Sequence, residues 1–174
     1  IMTPQASTAV QLSGLAKRLV TDEILNEKQA TEAYQYSKQN KIPFVTHVVQ
    51  TGIATSKAIA TSAAEEFGTP LLDLAVFDSA MFPKEVVDAK LIRNHHALPL
   101  FQRGNRLNVA VSDPTNLQAL DEFKFNSGIS TDAILVEEVK LAAAIEKYLD
   151  DADDALGDLE DENLENIDIS ADTG

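Results

Sequence analysis

Three histidines, 28 acidic side chains and no cysteine set the chemistry open to this chain of 174 residues. Without thiols there is no disulfide, no cysteine-based zinc site and no thiol nucleophile, and the composition fits a reducing compartment. His95 and His96 are sequence neighbours. On a helix their rings point about 100° apart and cannot chelate one metal in the i, i+4 manner. They read as surface or helix-end histidines. His47, set among Val45, Val48 and Val49, reads as a partly buried structural one. Asp121 with Glu122 and Glu137 with Glu138 are adjacent carboxylates with no general-acid partner nearby, and they read as solvated helix-end charges. The chain has no Walker A phosphate loop, no GxSxG elbow and no HExxH helix. The expected catalytic and metal sites are therefore none. Lys84, Lys90, Arg93, Arg103 and Arg106 form a loose basic group that could meet an acidic partner or the chain's own acidic end. It reads better as solvated charge that keeps a sheet edge from pairing wrongly.

The net charge of −14 is unevenly spread. Residues Asp150 to Gly174 hold eleven acidic side chains and no Lys or Arg, which leaves 17 acidic against 14 basic in the rest, a net of −3. With no basic surplus to neutralise phosphates, no nucleic-acid partner is expected. Residues 150–174 read as a disordered acidic linker. A second reading makes Leu156, Leu159, Leu164, Ile167 and Ile169 a docking strip that orders on a partner. No apolar run reaches the length of a membrane span and no basic-led hydrophobic signal opens the chain, so a soluble protein without direct membrane insertion is expected. Ile1 before Met2 looks like a cloning remnant, and residues 1–11 read as a flexible lead-in.

The elements that must position these groups fall into two textures. Residues 12–69 read as helical. Leu15, Leu19 and Val20 share a face, and Asn26 caps a helix lined by Ala30, Ala33, Tyr34 and Ser37 that ends at Asn40 and Pro43. Thr55 or Ser56 caps another helix through Ile59, Ala60, Ala63 and Phe67, stopped by Gly68. A shift of 29 residues maps Leu15 on Phe44, Leu19 on Val48, Val20 on Val49, Ile24 on Ile53, Asn26 on Thr55 and Ala30 on Ile59. Two repeated helix pairs, neither able to bury its stripe alone, would pack on each other.

Residues 70–149 alternate strand and helix. Leu71 to Leu74 is a strand or entry segment, Phe82-Pro83 opens a helix running to about His95, and its core stripe is Val87, Leu91 and Ile92 with Ala89 beside it. Leu98 to Ser112 forms a hairpin turning at Gly104-Asn105, both tolerant of positive φ. Ser112 or Asp113 caps a helix with Pro114 in its first turn, passing through Leu117, Leu120 and Phe123 to Gly128. Ala133 to Val136 is a third strand and Val139 to Leu149 a last amphipathic helix. The fold class is α+β: a helical subdomain, a small α/β subdomain of about three strands, then the acidic linker.

Lys90-Leu91-Ile92-Arg93, Leu98-Pro99-Leu100, Gly104-Asn105, Leu107, Val109-Ala110, Ser112-Asp113-Pro114 and Asn116 together resemble the MshEN-like N-terminal domain of type II and type IV secretion ATPases. The likeness continues through Phe125-Asn126-Ser127-Gly128 and Ala144-Ile145-Glu146-Lys147-Tyr148. Upstream, Leu12-Ser13-Gly14-Leu15-Ala16-Lys17-Arg18-Leu19-Val20 with Val45-Thr46-His47 is similar to the PilB-like type IV pilus assembly ATPases. The resemblance implies a non-catalytic regulatory and docking domain whose ATPase motor lies downstream of the acidic linker. It implies no cofactor in this stretch, a cytoplasmic place beside the inner-membrane pilus machine, and hexamers only with the motor present. The implied partners are a PilZ-type adaptor protein, linked to cyclic di-GMP signalling, and the inner-membrane pilus platform.

Some relatives bind cyclic di-GMP directly through two tandem motifs, roughly Arg-Leu-Gly-x-x-Leu-Val-x-x-Gly-x-Ile, and the 29-residue repeat falls on them. Leu15, Leu19, Val20 and Leu25 fit the first motif, but Gly14 replaces its Arg, and Ala16 and Glu23 replace its glycines. In the second, Val48, Val49 and Gly52 fit, while Pro43 and Val45 replace the Arg and first Gly. The missing arginines remove charge from the ligand site, Glu23 adds a repelling carboxylate, and the lost glycines block close backbone approach. Direct nucleotide sensing is the alternative to adaptor docking. For docking, Tyr36 is the first candidate, about 120° off the Ala30, Ala33 and Ser37 stripe. Leu12, Leu15, Leu19 and Val20 are a second candidate patch, with core packing as their competing role.

Overall fold

The same local instructions are given twice in the helical half. Asn26 Oδ1 accepts from the Gln29 amide at 2.7 Å, and Gln29 Oε1 accepts from the Asn26 amide at 3.0 Å. Such a reciprocal cap satisfies two donors that a helix start leaves unpaired. At the matching position, Thr55 Oγ1 accepts from the Ala58 amide at 3.2 Å. The resulting helices are α1 (Leu15–Thr21), α2 (Glu27–Asn40), α3 (Phe44–Gln50) and α4 (Ser56–Phe67). In this computed structural model, residue 12 and residues 14–78 and 81–151 are described. The expected lead-in at 1–11 and the acidic linker beyond 151 lie outside them.

The repeat holds down to single hydrogen bonds. The amides of Asp22 and Thr51 donate to Arg18 O and His47 O at 2.9 and 3.0 Å. Those of Glu23 and Gly52 donate to Val20 O and Val49 O at 3.0 and 3.1 Å. Both short helices thus leave through a left-handed residue, Glu23 at φ 59° and Gly52 at φ 75°. The four helices close over Leu15, Leu19, Leu25, Ala30, Ala33, Val45, Val48, Ile59 and Ala63, joined by one residue from far along the chain, Leu135.

Beyond Gly68 the chain runs beside the sheet. The Leu72 amide donates to Leu135 O, and the Leu135 amide to Pro70 O, each at 2.9 Å, so the entry segment is a single parallel bridge rather than a strand. A short 3-10 turn at Leu74–Val76 follows. The helix expected from Phe82 begins only at α5 (Ala89–His95). Glu85 takes φ 63°, which a continuing right-handed helix cannot hold, and Asp88 caps the late start by accepting from the Lys90 amide at 3.0 Å. Val87 and Ile92 are buried as the stripe requires, whereas Ala89 faces solvent.

β1 (Leu98–Arg103) and β2 (Arg106–Val111) pair antiparallel through a turn in which Gly104, and not Asn105, takes positive φ. A bulge follows Pro99 on β1, an edge strand where a missing amide is tolerated. β3 (Ser130–Leu135) lies parallel to β2, and parallel neighbours need a crossover, supplied by α6 (Leu117–Ser127). β3 starts three residues before the expected Ala133. Its first residues are polar and are held by bonds the hydrophobic pattern does not show: Thr131 Oγ1 to Leu120 O at 2.9 Å, and Arg106 on both oxygens of Asp132 at 2.6 and 2.9 Å.

The cap of α6 also differs from expectation. Asp113 Oδ1 accepts from Thr115 N and Thr115 Oγ1 at 2.8 and 2.6 Å, so it closes a turn that leaves Pro114 ahead of the helix. Asn116 is the cap, accepting from the Ala119 amide and donating from Nδ2 to His95 O at 2.9 Å. The last helix, α7, covers residues 138–151 and buries Leu141, Ile145 and Leu149 against the sheet. The sheet half's own core is built on Ile92, Leu98, Leu100, Leu107, Val109 and Phe123.

Candidate functional site

The capping box of α2 sets where that helix starts, and the helical spacing of its small residues turns Ala30, Ala33 and Ser37 inward, where they are buried. Tyr36 is thereby turned outward and is 45% exposed. Its ring stacks on His47 of α3, centroids 4.2 Å apart and planes 18° from parallel, and Asn40 Nδ2 donates to the Tyr36 carbonyl at 3.0 Å. Tyr34 meets Phe44 edge to face at 6.5 Å, with Lys38 Nζ 4.6 Å from the Tyr34 ring centre. The α2–α3 seam therefore presents aromatic rings in fixed orientations. Rings with few rotatable bonds make strong anchors for another protein at small entropic cost.

The second candidate patch breaks up. Leu15 and Leu19 are core residues, 2% and 0% exposed, because both point between α1 and its neighbours; they are not available on the surface. Leu12 and Val20 remain half-buried at its edge. The six positions of the altered nucleotide motif form three structural pairs. Gly14 and Pro43 precede α1 and α3, Ala16 and Val45 are buried, and Glu23 and Gly52 occupy the left-handed turns. Gly14 itself takes φ 61°, and a side chain there would start 3.3 Å from Thr115 Cγ2. The place where the motif has Arg is thus strained for any side chain.

Between Pro43 and Phe44 of the helical half and His95, His96, Ser112, Asp113 and Asn116 of the sheet half lies an open cavity of about 240 Å³. Burial pushes the Asp113 carboxyl up, against the two hydrogen bonds from Thr115 that favour its charged form. On the far side of α1, Arg18 reaches Asp22, Glu65 and Glu66 at 2.8, 3.5 and 2.6 Å. The Ser62 hydroxyl, followed by Arg18, holds the Asp22 carboxyl below its usual range.

One further polar cluster corrects the reading of Glu138 as a solvated charge. Glu138 is 3% exposed, with Thr46, Ser112 and His96 bonded to its carboxylate. His96 is accordingly no free surface histidine but half-buried on that carboxylate, at the left-handed end of α5. No local signal separates Glu138 from Glu137, which stays partly exposed and pairs with Lys140. The partners of Glu138 come from 92, 42 and 26 residues away. Of the loose basic group, Arg106 is committed to Asp132. Among the described residues no group of three or more His, Asp or Glu side chains could hold a metal ion, and no helix is long and apolar enough to cross a membrane.

Residues 67–155 match the family described as the MshEN domain. Over 163 residues the chain is 44% identical to the type IV pilus assembly ATPase PilB of Pseudomonas aeruginosa, covering 94% of this chain and 29% of that protein. To PilB of Acinetobacter baylyi it is 37% identical over 142 residues, 82% of this chain and 24% of that one. The chain thus spans less than a third of the length of these relatives. Among solved structures, the N-terminal domain of XpsE superposes with a TM-score of 0.62 at 17% identity, over 79% of this chain and 98% of that one. A structure of MshE with cdg gives 0.55 at 21% identity, over 79% and 99%.

Proposed function

The chain belongs to the MshEN domain family, and from that premise we propose that it is the regulatory and docking domain of a type IV pilus extension ATPase. In this reading it engages a PilZ-type adaptor protein and couples the motor to the inner-membrane pilus platform and to cyclic di-GMP signalling. The identity to PilB proteins over 94% of the chain supports placing it in such a motor. The matched stretch is non-catalytic and acts without a cofactor of its own. Hexamer formation belongs to the motor, and the domain works in the cytoplasm, peripheral to the membrane.

The observation that carries the docking role is the Tyr36–His47 stack, in which Tyr36 rests on a partly buried ring and is still 45% exposed. Calorimetry with a PilZ-type adaptor tests it. Tyr36→Ala, at an exposed position, should keep the fold and lower affinity by about tenfold or more, the range of an interface anchor. Unchanged affinity removes Tyr36 from the site.

A second reading, direct cyclic di-GMP sensing, draws support from the fold shared with MshE, which was solved with cdg, and from the left-handed turns that both repeats of this chain keep. Against it stand Gly14, whose left-handed backbone disfavours any side chain where the motif has Arg, and the buried Ala16 and Val45 where it has Gly. Titrating the isolated chain with cyclic di-GMP separates the two: micromolar heat favours sensing, and its absence favours docking.

A further inference from the structure

The two halves bury separate apolar clusters, and among the described residues Leu135 alone belongs to the helical cluster while sitting on the sheet. Three positions on, at the start of α7, Glu138 gathers side chains from three other places in the fold. Thr46 Oγ1 of α3 donates to its Oε2 at 3.0 Å, and Ser112 Oγ, just after β2, to its Oε1 at 2.8 Å. His96 Nε2 lies 2.6 and 2.9 Å from the two oxygens.

Thr46, Ser112 and Glu138 are all more than nine-tenths buried. A buried carboxylate is costly unless its bonds are complete, and completing them demands one arrangement of the groups around it. Such groups select between packings more than they add stability. The backbone meets at the same joint, where Leu135 bonds to both Pro70 and Leu72 of the segment linking the halves. Residues 135–138 therefore hold an apolar peg, a main-chain bridge and a polar catch. Thr46 is the only member of the polar cluster from the helical half; Glu138, His96 and Ser112 stay together without it.

We propose that Glu138 and Thr46 form a latch that sets the angle between the halves. Releasing it lets the helical half pivot about the seated Leu135 and the neighbouring residues 68–72, so that both cores stay intact. This device is independent of the docking reading, since neither Tyr36 nor His47 takes part.

The absence of cysteine makes the test clean. Thr61 on α4 and Gln102 on β1, both exposed, can be changed to Cys as the only two spin-label sites, and their separation measured by pulsed electron resonance. With the latch intact one narrow distance is expected. Thr46→Val, nearly isosteric, should broaden that distribution about twofold or add a second distance, as hinge release does. Amide spectra of both halves should remain native. Glu138→Gln should act in the same direction, whereas Thr46→Ser, which restores a hydroxyl, should return the narrow distance. An unchanged distribution in Thr46→Val overturns the proposal. Loss of native amide signals in either half of Thr46→Val overturns it too, because the bond would then be part of the cores rather than a catch between them.

Discussion

Phe123, Leu98, Leu100 and Leu107 fill the sheet half with bulk, whereas α2 of the other half buries only the small residues Ala30, Ala33 and Ser37. The family match covers residues 67–155, starting at the last residue of α4, so it lies over the sheet half. The exposed aromatic seam lies wholly in the helical half. Interlocking large side chains in a fixed register restrict what can replace them. A helix such as α2, with small inward residues, lies close to its neighbours and leaves its outward positions open to new surfaces. The half that identifies the chain and the half proposed to meet a partner are therefore different, and the packing of each suits that division.

The largest test of this contrast removes bulk from one half and adds it to the other. Phe123→Ala, at a site with no exposure, should cost about 3–5 kcal/mol in urea unfolding. Ala33→Val should cost about 1–3 kcal/mol through overpacking. If Ala33→Val proves neutral, close helix approach is not what shapes the helical half.

Next come the two caps, which compare the repeats with each other. Asn26→Ala removes one bond of the reciprocal box and leaves the Asn26 amide on Gln29, and Thr55→Ala removes the cap bond of α4, so losses of about 1 kcal/mol are expected from each and a larger one from Asn26→Ala combined with Gln29→Ala. Equal losses from Asn26→Ala and the double variant would mean that the Gln29 arm adds nothing. A smaller difference is expected at the left-handed turns. Glu23→Gly should stabilise by about 0.5–1 kcal/mol, as relief of a left-handed side chain outweighs the entropy of glycine, while Gly52→Ala should lose about as much.

The smallest effects concern the sign of a pH slope. Burial raises the Asp113 carboxyl, so its contribution is fully present below the ordinary carboxylate range and is lost as pH rises through the raised value. Asp113→Asn, whose carbonyl can still accept from Thr115, should therefore hold its melting temperature better than the parent between pH 4 and 7. Asp22 in the helical half behaves oppositely. Its lowered carboxyl stabilises above the ordinary range and loses that contribution as pH falls through the lowered value. Asp22→Asn should thus cost stability at pH 7 and little at acid pH, and matching slopes in the two variants would erase the contrast.

What could be read from the sequence follows the range of the forces involved. Caps at Asn26 and Thr55 and stops at Gly68, Gly104 and Gly128 act over a few residues, and the 29-residue offset carried through to individual hydrogen bonds. Glu85 in the left-handed region leaves no mark in an apolar pattern, so α5 appeared to start too early. Asp113 and Asn116 are both good cap residues, and the amide and hydroxyl of Thr115 together engage Asp113 in a turn ahead of the helix. In the candidate sites, the outward turn of Tyr36 followed from helix spacing, but its stacking on His47 needed two helices to meet. Glu138 was invisible because every partner that buries it is distant in the chain.

Leu135 also sets an order of events. The rest of the helical core lies between residues 15 and 63, so its contacts form early and at little cost in loop closure. As the chain leaves the ribosome, those helices can gather long before β3 has been made. Their core then keeps an open place for one leucine that arrives with the third strand. Seating it joins the halves and closes the longest loops in the same step, so the slowest folding phase should report on this joint rather than on either half alone.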